Sequence, residues 1–328
     1  MNNEFLKAFI RRIISSIIVL LLVVSLVFVI TRVSPGSPTQ KYNSPKFSPQ
    51  LIDEVNSSFQ LDKPVTEQYF AFIKNIFEGD LGISYNYRRP VTDVILDYPP
   101  FTIIFSSISF VVQIFLSFLL AIISIKNKNN FIDRFISKST LVAYATPTFL
   151  VGVILIYIFS YQFDLLPSSG LTSLRYESQT IINKLIDYST HMILPIIAIS
   201  FAGIAVYYKY LRDSLEGNLN SLFVLKLKAD GYSNRKILIK HVIPNSLSPV
   251  IAAAGVDLGI LLGGALLVET IFGLPGMGRL TINAVFSRDY PLILGCVIVA
   301  GTMIIFTNLI ADMIRIKLDK RLIKGMVS

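Results

Sequence analysis

The chain has 328 residues, 53% of them apolar and only 16% charged, with a formal net charge of +9. Soluble proteins run at roughly 25% charged residues, so this composition excludes a disordered chain and argues against an ordinary soluble enzyme. With one cysteine, Cys296, and two histidines, His191 and His241, the chain has no intrachain disulfide, no cysteine-held zinc or iron–sulfur centre and no histidine-rich metal site.

A helix needs about 20 mostly apolar residues to cross a bilayer core, and six stretches meet that need. Residues 13–31 are uncharged. They follow Arg11 and Arg12, and Arg32-Val-Ser-Pro-Gly comes after them rather than a small-residue cleavage site. That pattern reads as a retained first span, not a removed signal peptide. Residues 101–125, 139–163, 188–208, 242–268 and 290–311 supply five more. Segments 1–12, 126–138, 209–241 and 312–328 carry a net +12, whereas 32–100, 164–187 and 269–289 carry −2. Basic residues stay on the cytoplasmic side, so both termini are expected there. The fold class is all-α and integral to the membrane.

Between the first two spans, residues 51–55 and 66–77 have apolar residues at helical spacing, and Gly79 stands where a glycine ends a helix. This outer segment is either a folded cap that meets a soluble partner or a tether. On the opposite side, residues 222–230 read as a short helix, Gly231-Tyr232 as a turn, and 233–243 as a second helix with Ser233 as N-cap. Tethering to the bilayer at both ends argues against nucleic-acid binding. The unit lies on the membrane surface or, in the sharper reading, docks a cytoplasmic partner.

In the fifth span Gly255, Gly259 and Gly263 recur every four residues, as in close helix packing; a pore-lining face is the competing reading. Asp257 sits mid-span. A central aspartate costs about 2.5–3.5 kcal/mol on insertion scales, so it faces protein or water, either on a substrate path or bonded to a neighbouring helix. Pro147, Pro195 and Pro244 are expected to kink or end helices. No Gly-Lys dipeptide occurs, so there is no phosphate-cradling P-loop, and neither G-x-S-x-G nor H-E-x-x-H is present. Gly273-Leu-Pro-Gly276-Met-Gly278 reads as a turn. With no catalytic constellation, energy for any uphill step comes from elsewhere.

Several stretches resemble one family, the inner-membrane permease subunits of ATP-binding-cassette importers for dipeptides, oligopeptides and nickel. They are Val33-Ser-Pro-Gly-Ser-Pro38, Leu61-Asp-Lys-Pro-Val, Gln68-Tyr, Gly79-Asp-Leu-Gly-Ile-Ser84, the run Gly263 to Leu280 and Arg288-Asp-Tyr-Pro291. Gly231 and Pro244, thirteen residues apart with Ala229 ahead, resemble the family's EAA motif. The family usually has alanine where Leu227 stands and a basic residue where Asp230 stands, departures that bear on which ATPase fits.

The resemblance implies an alternating-access permease in a bacterial plasma membrane. A second permease subunit, two cytoplasmic ATPases that bind ATP and magnesium, and an external binding protein or lipoprotein would be its partners, and this chain itself would hold no cofactor. It implies coupling to the ATPase through Leu225, Lys226, Leu227, Ala229, Asp230, Gly231, His241 and Pro244. Helix packing or the translocation path falls to Gly255, Asp257, Gly259, Gly263 and Glu269. The chain divides into 1–31, an outer loop 32–100, a core 101–311 containing the coupling loop 209–244, and a tail 312–328. Peptides are the expected cargo, with nickel or a nickel chelate as the alternative. A stand-alone secondary transporter or channel would need coupling carboxylates in several spans, and only Asp257 is clearly intramembrane.

Overall fold

The computed structural model describes residues 3–33 and 63–318. Among them the chain is helical, and its only sheet-like pairing is an isolated bridge between Ile83 and Pro90. The helices are α1 (Asn3–Val33), α2 (Val65–Phe77), α3 (Val91–Leu96), α4 (Pro99–Lys126), α5 (Phe131–Ala145), α6 (Thr148–Leu155), α7 (Ile181–Leu219), α8 (Leu222–Ala229), α9 (Asn234–Ile237), α10 (Ile243–Gly263), α11 (Leu266–Ile271), α12 (Met277–Phe286) and α13 (Tyr290–Leu318). Five helical stretches are long and apolar enough to cross a bilayer, and a bent pair adds a sixth.

Two spans differ from straight helices. The third bends by 100° between Phe131–Ala145 and Thr148–Gln162. Thr146 there is extended, as the residue before a proline prefers, and Pro147 opens the next helix. The fifth stops at Gly263, because Gly264 adopts φ +113°, a conformation only glycine takes freely. Glu269 therefore lies beyond that helix break, in the short α11. Pro195 ends nothing: α7 runs through it for 39 residues. Residues 131–138 and 209–219, expected as loop, are helical extensions of the third and fourth spans. The expected helix at 51–55 and the motif at 33–38 lie outside or at the edge of the described residues.

Inside the bundle α4 packs along α7, and α10 along α13. Tyr207, Leu211 and Leu215 form a buried stripe on α7 at four-residue spacing and meet Val224, Ile237 and Val242. A central layer joins Phe105, Leu194 and Phe272. Helix α1 buries chiefly Val24 and Phe28, which with Leu294 meet Phe72 and Tyr69 of α2. Arg12 and Asp312 lie 2.5 Å apart, which places the start of the first span beside the end of the last. At the opposite end, the Gly79–Ser84 and Arg288–Pro291 motifs meet. Ser84 Oγ donates to Asp289 Oδ2 at 2.5 Å, and the Asn86 amide donates to the same oxygen at 2.9 Å. Beside them burial pushes the Tyr85 phenol up to about 12, against the pull of the Arg32 guanidinium.

Candidate functional site

The short helix α8 packs through Val224 on Leu215 and Val242, at the end of the bundle where Gly255 meets Ala311 and Arg12 meets Asp312. Val224 is its anchor, fully buried in the stripe formed by Tyr207, Leu211 and Leu215. Leu222 and Leu225 point outward at 83% and 57% exposure, and Lys226, Lys228, Ala229 and Asp230 are exposed beside them. Leu227 is half-buried against the stripe. The helix closes in a Schellman motif: the Tyr232 amide donates to the Leu227 carbonyl at 3.0 Å, and the Gly231 amide to the Lys228 carbonyl at 3.0 Å. That closure needs Gly231 at φ +80°, and nothing lies within 4 Å of the position a Cβ would take. The backbone angle, not crowding, accounts for glycine here.

Beyond the turn, Ser233 caps α9 by accepting from the Lys236 amide, the N-cap the sequence indicated. Lys236 Nζ lies 4.4 Å from the Tyr232 ring centre, and His241 meets that ring edge-on at 6.0 Å. The second helix is not a separate piece. A π-helical turn, Leu238–Val242, joins it to α10, where Pro244 lacks the amide that an α-helical register would use. The helix α9 is thus continuous with the fifth span. Asn218 also ties it to the fourth, donating to Ser246 Oγ at 3.0 Å.

Sequence reasoning missed the support beneath it. Asp133, buried at the start of α5, accepts from Arg212 at 3.1 and 3.2 Å, from the Asn129 amide at 3.0 Å, and from Ser124 Oγ. Tyr208 bonds Ser124 and Ser137 at 2.9 Å each, while Glu216 pairs with Arg212 and Lys128. The partners are up to 79–88 residues apart in sequence. Asp133, the lone carboxylate within the basic segment 126–138, was the available signal.

In the middle of the bundle, Gly255, Gly259 and Gly263 face α13. A Cβ on Gly259 would lie 2.5 Å from Ile304 Cα, and one on Gly263 2.9 Å from Ala300 Cβ; on Gly255 it would run into Ala311. These glycines sit in a helix–helix contact. Asp257 does two things at once: it accepts from Tyr207 Oη at 2.6 Å and lines a cavity of about 220 Å³ with Gln113, Thr148 and Gly203. Glu269 is fully buried and closes the run after the fifth span, accepting from the Ala265 and Arg279 amides at 2.9 Å each. Gly264 and Gly278 touch backbone to backbone there, so that a Cβ on Gly278 would fall 2.6 Å from the Leu266 nitrogen.

The description "binding-protein-dependent transport system inner membrane component" matches residues 113–324, and that of its N-terminal part matches residues 5–106. The chain is 30% identical to the oligopeptide transport system permease protein AppB of Bacillus subtilis, over 95% of this chain and 98% of that one. It is 28% identical to the nickel import system permease protein NikB of Staphylococcus aureus, over 96% and 92%. With both parts of the chain matched and its helices apolar enough for five or six membrane crossings, the protein belongs to the inner-membrane components of binding-protein-dependent transport systems, multi-pass proteins of the bacterial plasma membrane.

Proposed function

We propose that this chain is a permease subunit of an ATP-driven importer, forming a membrane path with a second permease subunit. An external binding protein delivers the cargo, and two ATPase subunits dock at the end that carries α8. That end faces the cytoplasm, in keeping with its net positive charge. ATP hydrolysis resides in the partner subunits. The observation that carries the reading is the geometry of α8. A short, capped helix presents Leu222, Leu225, Lys226 and Lys228 outward. Its anchors are Val224 and two long helices that continue into the membrane. A push on that face moves the fourth and fifth spans with it, as coupling requires. ATP binding shifts the transporter only by its differential affinity for two states, and this unit is where the difference reaches the path.

Peptides are the cargo we favour, following the oligopeptide permease relative; the nickel permease relative supports nickel or a nickel chelate as the second reading. The test is uptake by a strain lacking the gene, comparing labelled trialanine with trace nickel. Loss of trialanine uptake alone, restored by the gene, supports the peptide reading. Loss of nickel uptake alone replaces it, and loss of neither overturns both cargoes.

A further inference from the structure

A groove of about 700 Å³ runs along the flank of α1 where that helix lies against α13, with Val256 of the fifth span behind it. The two helices run antiparallel beside it: Arg12 pairs with Asp312, and Leu20 packs directly on Gly301. The lining is ordered by depth. At the charged end stands Arg12, its side chain 43% exposed even within the ion pair. One turn further in on each helix are Ser16 and Asn308. Both are half-buried rather than sealed off, and their side chains make no hydrogen bond among the described residues. Beyond them the walls are apolar, from Val19 and Ile304 to Val23 and Val297.

A phospholipid has the same order: a phosphate, ester carbonyls just below it, then a hydrocarbon tail. The lengths agree as well. From Arg12 to Val23 the helix rises about 16 Å, near half of the roughly 30 Å hydrocarbon core, so the groove spans one leaflet. A hydroxyl and a primary amide supply donors, which ester and phosphate oxygens accept. An apolar helix laid over the groove would leave those donors unmet, which is unfavourable away from water. Charge selects among lipids. Segments 1–12 and 312–328, which flank the charged end, carry a net +5. Arg12 and Arg315 share one carboxylate, Asp312, at 2.5 and 3.6 Å. Basic pockets between membrane helices on the cytoplasmic side suit anionic headgroups.

We propose that this groove holds one anionic phospholipid of the inner leaflet, with its phosphate at Arg12, its ester oxygens at Ser16 and Asn308, and one tail along residues 19–23. Only the choice of leaflet rests on the orientation given above. The test uses the transporter assembled with its partner subunits in lipid nanodiscs. These contain phosphatidylglycerol or phosphatidylcholine with a photoreactive diazirine in one tail, and cross-links are mapped by mass spectrometry. Phosphatidylglycerol is expected to label residues 297–305 severalfold more than phosphatidylcholine does, while Ile14 and Ile18, exposed outside the groove, label alike with both. Arg12→Gln should cut that preference about fivefold, the worth of one basic residue at an anionic surface, and Arg12→Lys should keep it. Ser16→Phe, which fills the groove, should abolish labelling there. Equal labelling of residues 297–305 by the two lipids in the unaltered transporter overturns the proposal without recourse to a variant. A photoreactive residue in place of Val19 that cross-links to the second permease subunit rather than to lipid also overturns it, giving the groove to a protein partner. Trialanine uptake plays no part in the readout, so the cargo reading and this one fail separately.

Discussion

Gly231 offers the sharpest test of the coupling unit, because its surroundings separate backbone strain from crowding. With nothing within 4 Å of the missing Cβ and φ at +80°, Gly231→Ala introduces strain alone, about 1–2 kcal/mol for an L-residue in the left-handed region. That is a factor of roughly 5–30 in the population of the closed turn. Asparagine visits this region readily, so Gly231→Asn should stay near wild type. Gly231→Pro fixes φ near −65° and removes the amide that donates to Lys228, so the turn opens altogether. Hydrogen–deuterium exchange over residues 222–237 of the assembled transporter reads the turn directly. Exchange should rise about 5- to 30-fold for alanine, little for asparagine, and reach the unprotected rate for proline. Transport per ATP hydrolysed should fall in the same order, with the proline variant inserting normally but hydrolysing ATP unproductively. Alanine exchanging like glycine, asparagine faring as badly as proline, or wild-type transport by the proline variant would refute the reasoning.

Arg212→Leu leaves Asp133 buried without its cation, a loss of about 3–5 kcal/mol, and should lower the thermal midpoint of the purified transporter sharply. Adding Asp133→Leu should recover much of that loss, and failure to recover argues against the pair as the support of α8. Gly259→Val drives a side chain into the Ile304 backbone, whose Cα lies 2.5 Å from the Cβ position, and should separate α10 from α13; proteolysis of the solubilised protein should then cut within these helices. Asp289→Asn replaces acceptors facing Ser84, the Asn86 amide and the Leu292 amide with a group that is half donor. It should cost about 1–3 kcal/mol and raise hydrogen exchange over residues 84–95, while exchange over 222–237 stays unchanged.

The membrane character of the chain was legible because burial in lipid demands long apolar runs whatever their packing, and the turn at Gly231 was legible because its signal is local. What tertiary packing decides was not. Pro147 and Pro195 look alike in sequence, both inside apolar stretches, yet the chain bends by 100° beside the first and runs straight on as helix through the second. The difference lies in the neighbours. Leu194 and Pro195 are buried in the helix, where packing holds it together, whereas Thr146 is half-buried and left extended between the exposed Ala145 and Pro147. Gly264 shows the same dependence, since its positive φ serves the backbone contact with Gly278 fourteen residues later. The two readings of Asp257 were open for a further reason. A carboxylate in a membrane helix has to satisfy two oxygens, and here one accepts from Tyr207 while the side chain also lines a cavity. Bonding a neighbouring helix and facing the path are thus not alternatives at this residue. The bond to Tyr207 orients the carboxyl group, so that one side chain both joins the fourth span to the fifth and lines the space between them.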